Sequence, residues 1–161
     1  MSQYGEDGFS VLAFPCNQFG YQSPGSSDDE RLYTRRKFGL GDTGRLAVFD
    51  KVEVNGKGAS DVYKYLRAAQ PQAAPVSSVQ RGGPGKGGAP ISWNFEKFLV
   101  GRDGRPLARY KPTLDPLAFE NDVKLALAGR DVRPLECISH PGRMVCTQPM
   151  KDAFPGWALD S

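Results

Sequence analysis

One junction constrains this chain more than any other. The apolar run Phe9-Ser10-Val11-Leu12-Ala13 passes into Phe14-Pro15-Cys16-Asn17-Gln18-Phe19-Gly20-Tyr21-Gln22. The run has the composition of a buried strand, and Pro15 and Gly20 stop it from continuing as strand or helix. Polar groups offered just past the end of a strand are where α/β folds place their chemistry. A helix start follows at Ser26-Ser27-Asp28-Asp29-Glu30. Ser26 with Asp29 and Ser27 with Glu30 both have capping-box spacing, and the acids suit the positive end of the helix dipole. The helix is predicted to run to Phe38 and stop at Gly39. The first third of the chain is therefore strand, elbow, helix.

Beyond the polar loop 39–45, Leu46–Val54 reads as a strand closed by the turn Asn55-Gly56. A second helix is expected over Ser60–Ala69, with Val62 and Leu66 on its buried face and Pro71 beyond its end. Residues 71–90 carry four Pro and five Gly, which leaves little room for regular structure. Gly82-Gly83-Pro84-Gly85-Lys86-Gly87-Gly88 only superficially resembles a phosphate loop: an earlier Gly is missing, and Gly87 stands where a Mg²⁺-binding Ser or Thr belongs. Phe95–Val100 and Pro106–Tyr110 flank Gly101-Arg102-Asp103-Gly104, a hairpin signal. A last helix follows, capped by Asp115, with Pro116 in its first turn, a stripe of Phe119, Val123 and Leu127, and Gly129 as its stop. Two units result, a domain over 1–129 and a tail over 130–161 that shows no period and is expected to be poorly ordered.

Composition limits the function. The chain has 161 residues, 39 % hydrophobic and 24 % charged, and a net charge of +3. That charge is too small to argue for nucleic acid, and Arg35-Arg36-Lys37 reads as a solvated helix end. No apolar run approaches the roughly 20 residues of a membrane span, so no integral membrane contact is expected. Three Cys suggest no disulfide framework, which makes a reducing compartment the default while leaving the location open. Cys137, His140 and Cys146 lack the paired spacing and the fourth ligand of structural zinc.

Phe14-Pro15-Cys16-Asn17-Gln18-Phe19-Gly20 and Trp93-Asn94-Phe95-Glu96-Lys97-Phe98-Leu99 resemble two signature stretches of the glutathione peroxidase family. Val48–Gly56 and Gly104–Pro112 resemble its pattern too, and the similarity runs in register from Tyr4 to Ala128. The resemblance implies an α/β, thioredoxin-like fold with a mixed sheet and flanking helices. It also implies a thiol peroxidase that reduces hydrogen peroxide and organic or lipid hydroperoxides, in response to oxidative stress. Glutathione or a thioredoxin-like protein would be the reductant, and no cofactor would be bound. The family sets a Gln, a Trp and an Asn around a reactive thiol or selenol, and by motif match these are Gln22, Trp93 and Asn94. Amide and indole N–H groups suit that task because they donate hydrogen bonds without titrating. Taken alone, each has a plainer role, as a turn residue, a core anchor and a strand-start cap.

Cys16 is not expected to be the nucleophile. An activated thiol wants a helix N-terminus or a cationic neighbour, and Cys16 precedes a polar loop. In the family the peroxidatic Cys or selenocysteine opens a helix that would lie before Met1. A βαβ crossover needs about 30 residues, whereas eight precede the first strand. The expected fold therefore lacks its first strand and most of its first helix, and the peroxidatic residue is missing from the chain. A UGA codon for selenocysteine, read as a stop, would make Met1 a downstream restart. No residue from Gly20 to Ser92 is Cys, which favours glutathione or another small thiol over an internal disulfide. The Gly-rich 71–90 segment lacks the apolar residues of a subunit interface, so a monomer is expected. The competing reading is an inactive fragment or thiol-binding remnant. A disulfide oxidoreductase is disfavoured because there is no CxxC.

Overall fold

A computed structural model describes residues 3–39, 45–70, 88–130 and 132, together with the backbone of Glu136–His140 and Arg143–Thr147. The opening junction folds with a strand shorter than the apolar run Phe9–Ala13. Strand β1 is Val11–Ala13, and it runs parallel to β2, Leu46–Val48, pairing Val11 with Leu46 and Ala13 with Val48. The strand predicted to reach Val54 ends at Val48 for a physical reason. Phe49 N still donates to Ala13 O at 2.8 Å and Val52 N to Pro15 O at 3.0 Å. Pro15 has no N–H to return, so the ladder stops there.

Between these strands lies helix α1, Ser27–Phe38, bounded where its caps predict. Asp29 N donates to Ser26 Oγ at 3.2 Å and Ser26 N to Asp29 Oδ2 at 2.8 Å, a reciprocal capping box. Gly39 closes the helix at φ 62°, a left-handed conformation that suits glycine, and donates its N–H to Arg35 O. None of the α1 residues is buried, and Arg35, Arg36 and Lys37 lie exposed in its last turn. Polar clamps moor the helix instead. Arg31 Nε donates to Val48 O at 3.1 Å, and Lys51 N donates to Ser27 Oγ at 3.0 Å.

Helix α2, Asp61–Ala69, presents a different face from the predicted one. Leu66 is half-buried as expected, but Val62 is 45 % exposed. Tyr63 takes its place, packed edge-on against Phe14 at 5.7 Å and Phe98 at 6.4 Å. Burial, with the neighbouring Cys16 and Glu96 side chains adding, pushes its phenol up to about 12, so it stays neutral. A ring spanning two core elements outweighs an aliphatic side chain one position away.

The hairpin is β3, Lys97–Val100, against β4, Pro106–Tyr110, antiparallel with an irregularity at Leu99/Val100. Gly104 sits at φ 82° in its turn, and Gly101 N donates to Arg105 O at 2.8 Å. The predicted last helix divides into a 3₁₀ turn, Pro116–Phe119, capped by Asp115, and α3, Glu120–Leu127. Leu99, Ala108, Tyr110 and Val123 form one core, with Phe119 stacked on Tyr110 at 4.1 Å. A second core joins Phe19, Val54 and Ile91, with Cys16, Val52, Tyr63 and Phe98 around it.

Two described segments of the tail have regular structure that the sequence pattern does not predict. Strands β5, Glu136–His140, and β6, Arg143–Thr147, pair antiparallel. The glycine-rich loop expectation falls, over 71–87, outside the described residues. Among the described residues no helix is long and apolar enough to cross a membrane.

Ser26→Ala removes the capping oxygen of α1. It should cost about 0.5–2 kcal/mol, read as a lower midpoint in urea unfolding with an unchanged slope.

Candidate functional site

The two motif segments are far apart in sequence, and amide side chains tie them together. Gln18 in the elbow reaches residues 54–55: its Oε1 accepts from Val54 N at 2.9 Å and Asn55 N at 3.0 Å, and its Nε2 donates to Asn55 O at 3.1 Å. Asn55 carries the connection on. Its Oδ1 accepts from Ile91 N at 2.9 Å, and its Nδ2 donates to Ile91 O at 2.9 Å. Ile91, 6 % exposed, stands two residues before Trp93. Asn17 Oδ1 meanwhile accepts from Ser23 N at 3.0 Å, folding the elbow back on itself. Each side chain pairs with backbone that no strand or helix would satisfy, which is why amides stand here.

A buried ion pair fixes the second segment from below. The Glu96 and Arg109 side chains are 3 % and 2 % exposed, and Arg109 Nε donates to Glu96 Oε1. The remaining oxygen of Glu96 accepts from Ser92 N at 2.8 Å and Ser92 Oγ at 3.0 Å, which turns the chain immediately before Trp93. Arg109 also donates to Gln70 O, Ala89 O and Pro90 O at 2.9–3.2 Å, and lies over the Phe98 ring. Both charges are thus desolvated yet fully engaged, the condition under which a buried pair is tolerated.

On this frame Gln22 and Asn94 meet. Asn94 Nδ2 donates to Gln22 Oε1 at 2.8 Å, across 72 positions of sequence. The bond occupies the acceptor of Gln22 and leaves its amide N–H groups without an acceptor among the described residues. Asn94 is half-buried and Gln22 exposed. Trp93 is 50 % exposed, its ring 5.8 Å from Phe19, and no described residue accepts from its indole N–H. The three residues therefore lie on one connected stretch, with Gln22 and Asn94 in contact and Trp93 adjoining through the chain.

The backbone around the pair is strained. Tyr21, next to Gln22, has φ 53°, and Phe95, next to Asn94, has φ 62°. Both aromatic side chains are over 80 % exposed, so burial of the rings does not offset the strain. Bulky residues in the left-handed region cost on the order of 1–3 kcal/mol and cluster at functional sites. An open trough of about 850 Å³ runs from Gln22 along α1, lined by Pro24, Asp29, Tyr33, Arg36 and Lys37.

Cys16 sits to one side. It is half-buried and packs on the Phe19, Val54 and Ile91 core. Its Sγ accepts from Gln18 N at 3.4 Å. The nearest helix N-terminus in sequence, that of α1, lies ten positions on. Sequence reasoning passed over Gln18, Asn55, Glu96 and Arg109. Glu96 and Arg109 did leave a signal, as charges at strand positions patterned for burial. Among the described residues no cluster of His, Cys, Asp and Glu is arranged to hold a metal.

Residues 1–67 match the family model described as glutathione peroxidase. The chain is 40 % identical over 126 residues to a probable glutathione peroxidase 5 of Arabidopsis thaliana, covering 78 % of this chain and 63 % of that protein. It is 41 % identical over 125 residues to a probable phospholipid hydroperoxide glutathione peroxidase of Helianthus annuus, covering 78 % of this chain and 60 % of that one. The chain thus spans less than two thirds of the length of these relatives. Among solved structures, that of Trgpx in apo form superposes with a TM-score of 0.51 at 27 % identity, over 81 % of this chain and 67 % of that one.

Arg109→Met strands the Glu96 carboxylate in the core and should cost about 3–5 kcal/mol in urea unfolding, whereas the Glu96→Leu, Arg109→Met double variant recovers most of that loss. Asn55→Ala leaves the Ile91 N–H and C=O unpaired and should cost about 1–3 kcal/mol by the same measurement.

Proposed function

We propose that the chain, which is similar to glutathione peroxidases over 78 % of its length, belongs to that family and is the greater part of a thiol peroxidase whose donor wall is Gln22, Trp93 and Asn94. The observation that carries the reading is the 2.8 Å bond from Asn94 to Gln22, which joins the two motif segments. In such an enzyme a thiolate or selenolate attacks one oxygen of a hydroperoxide, and the other oxygen leaves as water or an alcohol. N–H groups aimed at the chalcogen keep it ionised and stabilise the charge passing to the departing oxygen. Trp93 and Gln22 have the N–H groups for that work, and Asn94 orients Gln22 by taking up its carbonyl oxygen. Two equivalents of a thiol such as glutathione then return the oxidised residue to its starting state and leave as a disulfide. The acyl or alkyl part of the hydroperoxide is unconstrained by the wall, which suits organic and lipid hydroperoxides as well as hydrogen peroxide.

The peroxidatic residue is proposed to come from a segment preceding Met1. Three observations support this. Cys16 has no helix N-terminus close after it. The relatives extend well beyond the matched length. Among the described residues β1 pairs only with β2 and β3 only with β4, and a further strand between β1 and β3 would use both open edges. Whether that residue is Cys or selenocysteine is decided by translating the upstream coding sequence.

The test is peroxide consumption with glutathione and a coupled reductase. The 161-residue chain should show essentially none, and a chain extended upstream through the peroxidatic residue should restore it. Cys16→Ser should leave the extended chain's rate within about twofold. Activity in the short chain that Cys16→Ser abolishes would make Cys16 the nucleophile. An extended chain that stays inactive would favour a thiol-binding remnant.

A further inference from the structure

We propose that Cys137 and Cys146 are the site of an intrachain disulfide that clamps the C-terminal hairpin, formed by exchange with a low-molecular-weight disulfide. The argument rests on register. In β5 and β6 the paired residues are His140 with Arg143, Ser139 with Met144, Ile138 with Val145 and Cys137 with Cys146. Two residues lie between His140 and Arg143. A two-residue connection is closed by a hydrogen bond from the N–H that follows it to the C=O that precedes it, so the pair flanking it is of the hydrogen-bonded type. Pair types alternate outward along an antiparallel ladder. Cys137 and Cys146 are the third pair beyond His140 and Arg143, and so fall on a non-hydrogen-bonded pair.

Pair type sets the spacing of the two residues. Opposed Cα atoms in a non-hydrogen-bonded pair are about 4.5 Å apart, against about 5.5 Å in the other type. The shorter separation lies inside the span of about 4.4–6.8 Å that a disulfide bridges, on the side where the two β-carbons are closest. Any other pairing of these thiols along the hairpin would need a register slip, which flips every side chain of one strand to the other face. The three cysteines of the chain are thereby divided. Cys16 packs in the second core more than 100 positions away, and the other two share one rung of one hairpin.

The reaction balances as two exchanges. The thiolate of one cysteine attacks a sulfur of the small disulfide, forming a mixed disulfide and releasing one small thiolate. The thiolate of the second cysteine attacks the protein sulfur of that mixed bond, which closes the Cys137–Cys146 bond and releases the second small thiolate. The protein gives up two protons and two electrons, and the small disulfide is reduced to two thiols. The closed loop is short, so the gain is local: it fixes the hairpin register and leaves the rest of the fold untouched. The proposal is independent of the peroxidase reading and survives its failure.

The test equilibrates the 161-residue chain with glutathione buffers of increasing oxidised fraction, blocks free thiols with iodoacetamide, and maps tryptic peptides without reduction. Cleavage after Arg143 separates the two cysteines, so a bond appears as peptide 131–143 linked to peptide 144–151. That linked pair is expected to grow with the oxidised fraction while Cys16 stays alkylated. The register control carries Cys146→Ser with Val145→Cys, which moves the second thiol opposite Ile138. It should lower the equilibrium constant for closure by about tenfold or more. Alkylation of both cysteines at every ratio, pairing of Cys16 with either one, or equal constants for the native and shifted chains would each overturn the proposal.

Discussion

The Glu96–Arg109 pair is the constraint on which the site depends. Both groups are almost fully withdrawn from water, and removing either one leaves the other as an unpaired buried charge. Satisfying Arg109 draws in the carbonyls of Gln70, Ala89 and Pro90, so the end of α2 and the segment entering the second motif must converge on β4. Satisfying Glu96 draws in Ser92. The turn holding Trp93 and Asn94 is what remains between these fixed points. Its position follows from buried charge, not from the apolar pattern of β3.

The same logic runs through neutral groups on the other side. Gln18 and Asn55 pass the position of the elbow to Ile91 through paired amide and backbone contacts, each at ordinary hydrogen-bond distance. The two supports differ in tolerance. An amide link weakened by one substitution leaves neutral orphans, whereas a broken ion pair leaves a charge. The elbow and the second motif are therefore held by supports of different strength that meet at Gln22 and Asn94. Strain at Tyr21 and Phe95 is concentrated at that meeting point, where the surrounding contacts over-determine the backbone.

Legibility in the sequence followed range. Helix α1 could be read to its ends because capping is local: Ser26, Asp29 and Gly39 act on backbone within a turn of themselves. The β3–β4 hairpin was legible for the same reason, through Asp103-Gly104 and its flanking runs. Strand β2 is shorter than its composition predicts because the missing donor lies on a distant residue, Pro15. The buried face of α2 departs from its periodicity because Tyr63 is chosen by Phe14 and Phe98, which no periodicity within the helix encodes. In the tail, Pro and Gly masked the β-forming residues of β5 and β6 on either side of Pro141-Gly142. The motif residues Gln22, Trp93 and Asn94 came from family resemblance, and their supports, being long-range polar pairs, did not.

The central claim is that Gln22 and Asn94 act as one unit, and a double-mutant cycle on kcat/KM is its most direct measurement. In the chain extended upstream through the proposed peroxidatic residue, Gln22→Ala and Asn94→Ala should each lower kcat/KM by about a hundredfold, the scale of losing one preorganised donor. The double variant should fall little further, because orienting Gln22 is the work of Asn94. Losses that multiply, with the double variant about ten-thousandfold down, would mean that the two amides act independently and would contradict the account.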